Sequence, residues 1–344
     1  MTIFDLVKSQ EIVAYWEEMT QDREPYLGEV LFPNEKKLGL DLQWIKGSKG
    51  LPVVLKLSAF DVQAVPRDRI GFDKVSAEMP FFKESMYIDE ALRQELNKVL
   101  ETGNQAYIDA IINRVFDDEM TLLEGAAAAR ERMRMMLLTT GVISMQSNGQ
   151  IYNYDYGLAA TQTPTVSTSW SNPAADIVAD IRTWQDERED ETGVRPTRGL
   201  VSRVTWGYFL KNAGIRNAIN GNNAAAPVTD TAVMNYLMEA LELDVVVYSK
   251  RYKNENNQSQ KYVPDDTFVL FPEGNLGNTW FGTTPEESDL MASNAVDNVT
   301  IVDTGVAVTT MRKADPVNVE TKVTMICLPS FEAADQIVIA DVVA

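Results

Sequence analysis

The most constraining feature of this sequence is a predicted helix that runs from about Asn104 to Thr140. Its apolar residues recur at close to one helical turn and form a single stripe, at Ile108, Ile111, Ile112, Val115, Leu122, Ala126, Ala129, Met133, Met136 and Leu137. Only Glu119 interrupts the stripe, and no proline occurs between Pro80 and Pro164. At a rise of about 1.5 Å per residue, the helix would be roughly 55 Å long. Such rods are typical of coiled coils, bundles and large assemblies, and a long core helix of an ordinary domain is the alternative.

Composition removes several classes of function. The chain has 344 residues and no histidine, which excludes Ser-His-Asp and Cys-His catalysis and every histidine-bearing zinc site. Cys327 is the only cysteine, and we expect it to be a buried small hydrophobe. The net charge of −19 disfavours specific binding to DNA or RNA. No apolar run is long enough to span a membrane, and the first residues lack the features of a secretory leader. We expect no cofactor and no metal site.

A basic projection is predicted ahead of the long helix. Residues 38–44 alternate like a strand, and two further extended stretches separated by turn-like breaks follow up to residue 82. Residues 46–76 carry six basic and three acidic side chains in a strongly acidic chain. One interpretation is a solvated patch without a partner. The other is an arm that lies on an acidic surface of a second copy, and the candidate contact residues are Lys46, Lys49, Arg67, Arg69, Asp117, Asp118 and Glu119.

A second domain is predicted after the linker-like segment 159–171. Asn172 and Pro173 should open a helix that ends at Gly193, and strands alternate with helices from there to about residue 271. Residues 217–227 are predicted to be a loop, and residues 251–261 a polar hairpin tip. From Val299 onward, alternating valines predict three or four antiparallel strands that return to the first domain.

Two pairs of adjacent carboxylates are the best candidates for an enzyme without histidine. They are Asp265 with Asp266, and Glu286 with Glu287. Adjacent residues of a strand point to opposite faces, so neither pair is arranged in advance for acid–base chemistry. We therefore expect no enzymatic activity and keep a carboxylate-dependent enzyme as the alternative of another class.

Two segments and the order of the elements resemble a known family. The first segment is the strand Val245–Ser249, followed by a polar tip and by Tyr262–Leu270; the second is Met325–Asp335. Both are similar to the lambda-type major capsid protein E family of tailed bacteriophages. The resemblance implies an α+β, Hong Kong 97-like fold with an N-terminal arm (1–37), an extended loop (38–85), a peripheral domain with a spine helix (86–160 and 296–344) and an inserted α/β axial domain (161–295).

The same resemblance implies a function. It predicts a structural major capsid protein whose hexamers and pentamers close an icosahedral head around double-stranded DNA, assembled in the host cytoplasm. Implied partners are other copies of the chain, a separate scaffolding protein, a portal and a decoration protein. The packaged DNA would not be bound specifically. Contacts between subunits are expected to be noncovalent, since no motif here matches the lysine–asparagine bond of some relatives. A nanocompartment shell of the same fold is the alternative.

Overall fold

The computed structural model describes residues 7–46, 73–88, 90–91, 93–95, 98, 105–147, 149–221, 226–291, 298–314 and 317–343. The chain divides into two compact units. The first unit comprises Met1–Leu42, Ala77–Met133 and Asn278–Ser330, and the second comprises Gln43–Ser76, Arg134–Gly277 and Phe331–Ala344. Within the described residues, no helix combines the length and the apolar character needed to cross a bilayer.

Among the helices that the structure describes, one is far longer than the rest. In chain order they are α1 (Ser9–Thr20), α2 (Leu27–Leu31), α3 (Gln105–Thr140), α4 (Ile177–Thr192), α5 (Arg203–Lys211), α6 (Ala213–Asn220), α7 (Asp230–Leu241) and α8 (Pro285–Met291). The bounds of α3 confirm the predicted helix. It ends at Gly141, whose φ of 69° suits glycine and whose N–H donates to the Leu137 carbonyl at 2.9 Å. A Cβ at this position would lie 2.5 Å from Leu158 Cδ1.

The strands divide into one large mixed sheet, one smaller mixed sheet and three hairpin-like pairs. In chain order they are β1 (Asn34–Lys36), β2 (Asp41–Lys46), β3 (Asp73–Glu78), β4 (Phe81–Tyr87), β5 (Val142–Ser147), β6 (Gln150–Asp155), β7 (Arg198–Val201), β8 (Asp244–Val247), β9 (Arg251–Lys253), β10 (Ser259–Lys261), β11 (Thr267–Phe271), β12 (Thr279–Phe281), β13 (Asn298–Val302), β14 (Val306–Ala314), β15 (Val317–Pro329) and β16 (Val338–Asp341). The three pairs are β2 with β3, β5 with β6, and β9 with β10.

The first unit is built on a six-stranded sheet. Its order is β1-β12-β15-β14-β13. Strand β4 is the sixth strand, and it pairs with the same edge of β15 as β12 does. The long antiparallel ladder of β14 and β15 runs from Val306 opposite Met325 to Ala314 opposite Val317. Val306, Val308, Val319 and Val323 of these strands are buried. The intervening residues Ala307, Thr309 and Thr324 are buried as well, so both faces of this ladder are covered.

The second unit has a four-stranded sheet in the order β16-β11-β7-β8, in which only β7 and β8 run parallel. Its core is aromatic. The Trp170 ring lies 5.8 Å from Trp184, 5.3 Å from Phe209 and 5.3 Å from Phe268 between ring centroids. These distances are typical of favourable ring contacts, so this cluster is the packing centre of the unit.

Several local predictions are wrong at their boundaries. Helix α4 begins at Ile177 and not at Pro173, because Asp176 provides the cap by accepting from the Ala179 N–H at 3.1 Å. The predicted loop 217–227 instead starts inside a helix, since α6 continues to Asn220. Helix α1 begins at Ser9.

The carboxyl-terminal strands also divide differently from the prediction. Strands β13 to β15 belong to the first unit, whereas β16 pairs with β11 in the second. The predicted hairpin at residues 251–261 is present, since β9 pairs with β10. A second hairpin joins β5 to β6 across a turn that includes Gly149. Gly193 ends α4 in the left-handed conformation, as predicted.

Candidate assembly surfaces

The exposed acidic part of α3 consists of Asp117 and Asp118. The Tyr15 hydroxyl on α1 donates to Asp117 Oδ1 at 2.7 Å, and the Tyr15 ring lies 5.6 Å from the Phe116 ring. This hydrogen bond raises the pKa of Tyr15 above its ordinary value. The Asp118 carboxylate makes no hydrogen bond or ion pair within the described part of the chain. Asp118 therefore has an exposed carboxylate that is available to a cation.

The third predicted contact residue, Glu119, faces the inside of the first unit. Its side chain is 3% exposed, and Thr321 Oγ1 of β15 donates to Glu119 Oε1 at 2.7 Å. Burial raises the pKa of Glu119 to about 7. Successive helix residues point about 100° apart, so three consecutive carboxylates cannot share one surface. Glu119 cannot contribute to an exposed acidic surface on this helix.

The basic partners predicted for this surface are not placed by the structure. Lys49, Arg67 and Arg69 lie outside the described residues. Lys46 is the last residue of β2. The contact of these four cations with the acidic residues of α3 therefore stays a prediction.

Sequence reasoning missed a set of buried charges on α3. Arg130 is 1% exposed, donates to Asp303 Oδ2 at 2.8 Å and lies 5.7 Å from the centre of the Phe281 ring. Glu131 is fully buried, and its Oε1 accepts from the Gly28 N–H at 3.2 Å. Both residues look like surface residues of a helix when only their type is considered. Their positions next to the apolar residues Ala126, Ala127 and Met133 are the available sequence signal.

The carboxylates proposed for an enzyme are engaged in structural contacts. Asp265 accepts from Ser202 Oγ at 2.7 Å and pairs with Lys261 at 2.6 Å. Its pKa is lowered: burial alone would raise it, but the hydrogen bonds from Lys261 and Ser202 outweigh that effect. Asp266 occupies a turn with a φ of 62° and accepts from the Tyr208 hydroxyl at 2.6 Å, which raises the pKa of Tyr208 to about 12.

The second pair of carboxylates forms ion pairs that hold α8 to the sheet of the first unit. Glu286 pairs with Lys322 at 2.6 Å and accepts from Thr324 Oγ1 at 2.9 Å. Glu287 pairs with Lys36 of β1 at 2.5 Å. Among the residues with described positions, no group of three or more Asp, Glu, Cys or His residues could hold a metal ion.

A shallow acidic cleft lies in the second unit. It has a volume of about 440 Å³ and is lined by residues that include Asp265, Asp266, Asp341 and Thr163. Asp341 Oδ1 accepts from the Val343 N–H at 3.1 Å. Because each of these carboxylates already accepts a hydrogen bond from the chain, nothing in the cleft indicates a reaction centre.

Comparison with known proteins places these surfaces in context. The sequence profile of the family described as phage major capsid protein E matches residues 8–342. No curated protein sequence matches the chain significantly. Among solved structures, a phage-related protein from Bordetella bronchiseptica RB50 is 13% identical, with a TM-score of 0.59 over 98% of this chain and 97% of that one.

Two further solved structures share the fold. A proposed prophage capsid protein from Escherichia coli CFT073 is 11% identical, with a TM-score of 0.58 over 98% of this chain and 99% of that one. The capsid protein of cyanophage A-1(L) is 12% identical, with a TM-score of 0.51 over 93% and 92% of the two chains. At these identities the likeness shows the fold, and the fold extends over nearly the whole chain.

Proposed function

This chain belongs to the phage major capsid protein E family, and we propose that its copies form the hexamers and pentamers of an icosahedral head that encloses double-stranded DNA. As a member of this family it is a structural component of the virion capsid. The observation that carries the proposal is the family match over residues 8–342, which leaves almost no part of the chain for another domain. The nanocompartment alternative has no observation in its favour, and DNA or an enzyme as the content of the shell would separate the two.

A division of labour among the segments follows from the proposal. Residues 38–85 would be the loop that reaches a neighbouring subunit, and α3 with strands β13 to β15 would form the peripheral part. Residues 161–277, together with β16, would lie at the centre of the capsomer. Strands β2 and β3 support the first assignment, because they form a two-stranded sheet and such a sheet has little stability alone.

The proposed contact of the loop is electrostatic. Lys46, Lys49, Arg67 and Arg69 would lie on the exposed carboxylates of Asp117 and Asp118 of a second copy. Glu119 is not part of this surface, since its carboxylate is buried within its own subunit. These contacts would be noncovalent.

The remaining partners are those of a head assembly. A scaffolding protein, a portal and a decoration protein are proposed partners. The net charge of −19 supports a shell that does not retain DNA on its inner surface, because like charges repel at short range. The proposed role needs no catalysis, and the ion pairs of Asp265, Glu286 and Glu287 support a structural use of these carboxylates.

The contact of the loop is tested by reversing two of its charges. We expect Arg67→Glu with Arg69→Glu to block shell formation while each subunit stays folded, because the arm would then repel Asp117 and Asp118. Shells are counted by negative-stain electron microscopy, and folding is followed by circular dichroism. The matched control, Arg67→Lys with Arg69→Lys, keeps the charge and should assemble. Normal assembly of the double reversal would show that the basic arm does not act in this way.

A further inference from the structure

The second unit concentrates opposite charges at opposite ends of its sheet. Strands β7 and β8 are parallel, with Arg198 opposite Asp244 at their start and Val201 opposite Val247 at their end. Helix α4 leads into the start of β7, and α7 leads into the start of β8. The carboxyl ends of both helices therefore lie where the two strands begin. Gln185 holds them together, since its Nε2 donates to the carbonyls of Pro196 and Leu241 at 2.8 and 3.1 Å.

The surface at these helix ends is acidic. Arg195 pairs with Asp186 and Glu189, and Arg188 pairs with Glu191. Further exposed carboxylates make no hydrogen bond or ion pair within the described residues, namely Glu187, Asp190, Glu239 and Glu242. Because the carboxyl end of a helix carries partial negative charge, carboxylates there destabilise the helix unless a cation approaches. We call these four residues the acidic pole.

The opposite end of the sheet carries a basic hairpin. The end of β8 continues through Tyr248 into the pair β9 and β10, in which Arg251 and Lys253 are exposed. Arg251 Nε donates to Ser259 Oγ at 2.9 Å, so its guanidinium is held along the hairpin. Lys253 has no partner within the described residues. Arg251 and Lys253 are the basic pole.

The hairpin is ordered before any partner arrives. Asn254 Oδ1 accepts from the N–H groups of Asn256 and Gln258 at 3.1 and 2.8 Å, which closes the tip. At its base, the Tyr252 and Tyr262 rings lie 4.9 Å apart. A surface that is already rigid loses little conformational entropy on docking, which favours a specific contact.

The two poles cannot neutralise each other within one copy. Strand β8 alone separates the two ends of the sheet by about 10 Å, at about 3.3 Å per residue, and the hairpin follows the far end of this strand. The Debye length is about 8 Å at physiological ionic strength, so attraction over that distance is screened. Arg251 already interacts with Asp265 of its own copy, so Lys253 and the four carboxylates of the acidic pole are the charges that a second molecule can pair.

We propose that the basic pole of one copy docks on the acidic pole of the adjacent copy, head to tail. Each subunit offers one pole of each sign, so the contact is heterologous, and contacts of this type generate closed rings when the rotation between subunits closes. The inference rests on the proposed capsid function and names the surfaces that would join neighbouring subunits around a capsomer. Duplex DNA is the other polyanion that a basic hairpin could meet. Two exposed cations are few for a phosphate contact, and DNA leaves the acidic pole without a partner.

The experiment exchanges the charges of the two poles in the full-length chain. We expect Lys253→Glu to reduce the assembled fraction about tenfold or more, because the new carboxylate would face the acidic pole of its neighbour. Lys253→Glu is then combined with Glu187→Lys in one variant and with Asp190→Lys in another. At least one of these two double variants should assemble again. Assembly is measured by sedimentation and negative-stain electron microscopy, and the unfolding midpoint of unassembled subunits verifies their fold. Lys253→Gln should give an intermediate loss.

The matched control is Lys253→Glu combined with Glu124→Lys. Glu124 is exposed on α3 in the first unit, so this variant restores the net charge without placing a cation at the acidic pole. We expect no recovery from it. The inference is overturned if Lys253→Glu assembles like the wild type, if neither pole exchange restores assembly, or if the Glu124 control restores it equally. It is also overturned if Lys253→Glu lowers DNA retention and leaves the shells intact. In all of these outcomes the capsid function stands, whereas a wild-type chain that never assembles would overturn both.

Discussion

Two buried regions of this chain, the ring cluster around Trp170 and the middle of α3, differ in their chemistry. In the second unit, the side chains of Trp170, Trp184, Phe209 and Phe268 form a cluster of rings. In the first unit, α3 buries Glu119 and Arg130 beside its apolar residues. Burial of rings stabilises a fold through area and dispersion, whereas a buried charge contributes only while its partner stays in place. The contribution of the ring cluster should thus be insensitive to pH, whereas that of the buried part of α3 should depend on pH through Glu119.

The largest effect is expected in the aromatic core. Phe268→Ala removes a fully buried ring that contacts Trp170, Trp184 and Phe209. We expect the free energy of unfolding of unassembled subunits to fall by about 4 kcal/mol, as measured by chemical denaturation. Ile151→Ala is the control, because Ile151 is 70% exposed and should change stability by less than about 0.5 kcal/mol. A loss below that of an ordinary surface substitution would show that the rings do not carry the stability of this unit.

A pH-dependent effect is expected at Glu119. Its pKa is raised from 4.5 to about 7 in the folded chain, mainly by burial. Between these pH values the folded chain keeps a proton that the unfolded chain releases, so stability falls as the pH rises through this range. Glu119→Gln cannot ionise, and Gln can still bond to Thr321. We expect the free energy of unfolding of the variant to exceed that of the wild type by about 3 kcal/mol at pH 8, with the difference vanishing near pH 4.5.

Denaturation at several pH values measures this difference. Glu124→Gln, at an exposed position of the same helix, is the control and should show no such trend. A pH-independent difference between Glu119→Gln and the wild type would mean that Glu119 does not titrate near neutrality.

The smallest effect is expected at the Arg130 ion pair. Asp303→Asn removes the charge that faces Arg130, and asparagine tolerates the φ of 47° found at this position. Arg130 Nε and Nη1 have no hydrogen-bond partner in the described part of the chain, so the guanidinium depends on Asp303. We expect a loss of about 1 kcal/mol, limited because the Asp303 side chain is 33% exposed.

A double-mutant cycle sharpens that measurement. Arg130→Met replaces the buried cation with an apolar chain of similar length. In that background, Asp303→Asn should lower the free energy of unfolding by less than it does alone. Equal costs in the two backgrounds would show that the pair contributes nothing to the first unit.

The sequence predicts the elements whose signal is local. Helix α3 was predicted to within one residue because its apolar stripe is long and no proline interrupts it. The same stripe contained the information that Glu119 is buried, since this residue takes the place of an apolar one. The sequence also suggested a cap at Asn172, but Asp176 provides it, and the Pro173 carbonyl instead accepts from the Ala213 N–H. Two capping residues four positions apart cannot be ranked without the tertiary contact.

Most of the features that the local sequence pattern did not predict depend on long-range contacts. Arg130 and Asp303 are 173 positions apart, and only the fold brings them within hydrogen-bond distance. Strand β16 is a short apolar run that could join either sheet, so its pairing with β11 in the second unit could not be inferred from its residues. Helix α6 was missed because alanine, glycine and asparagine dominate it, although Asn212 caps it by accepting from the Ile215 N–H.

The pairing of β16 with β11 has a consequence for synthesis. Phe268 and Leu270 leave the ribosome about 70 residues before Val338 and Ala340, the residues that complete their side of the sheet. At roughly 5–20 residues per second, β11 presents an unpaired edge for several seconds during each round of translation. A host cell making many copies at once would hold many such edges together, which creates a need for chaperones during capsid production.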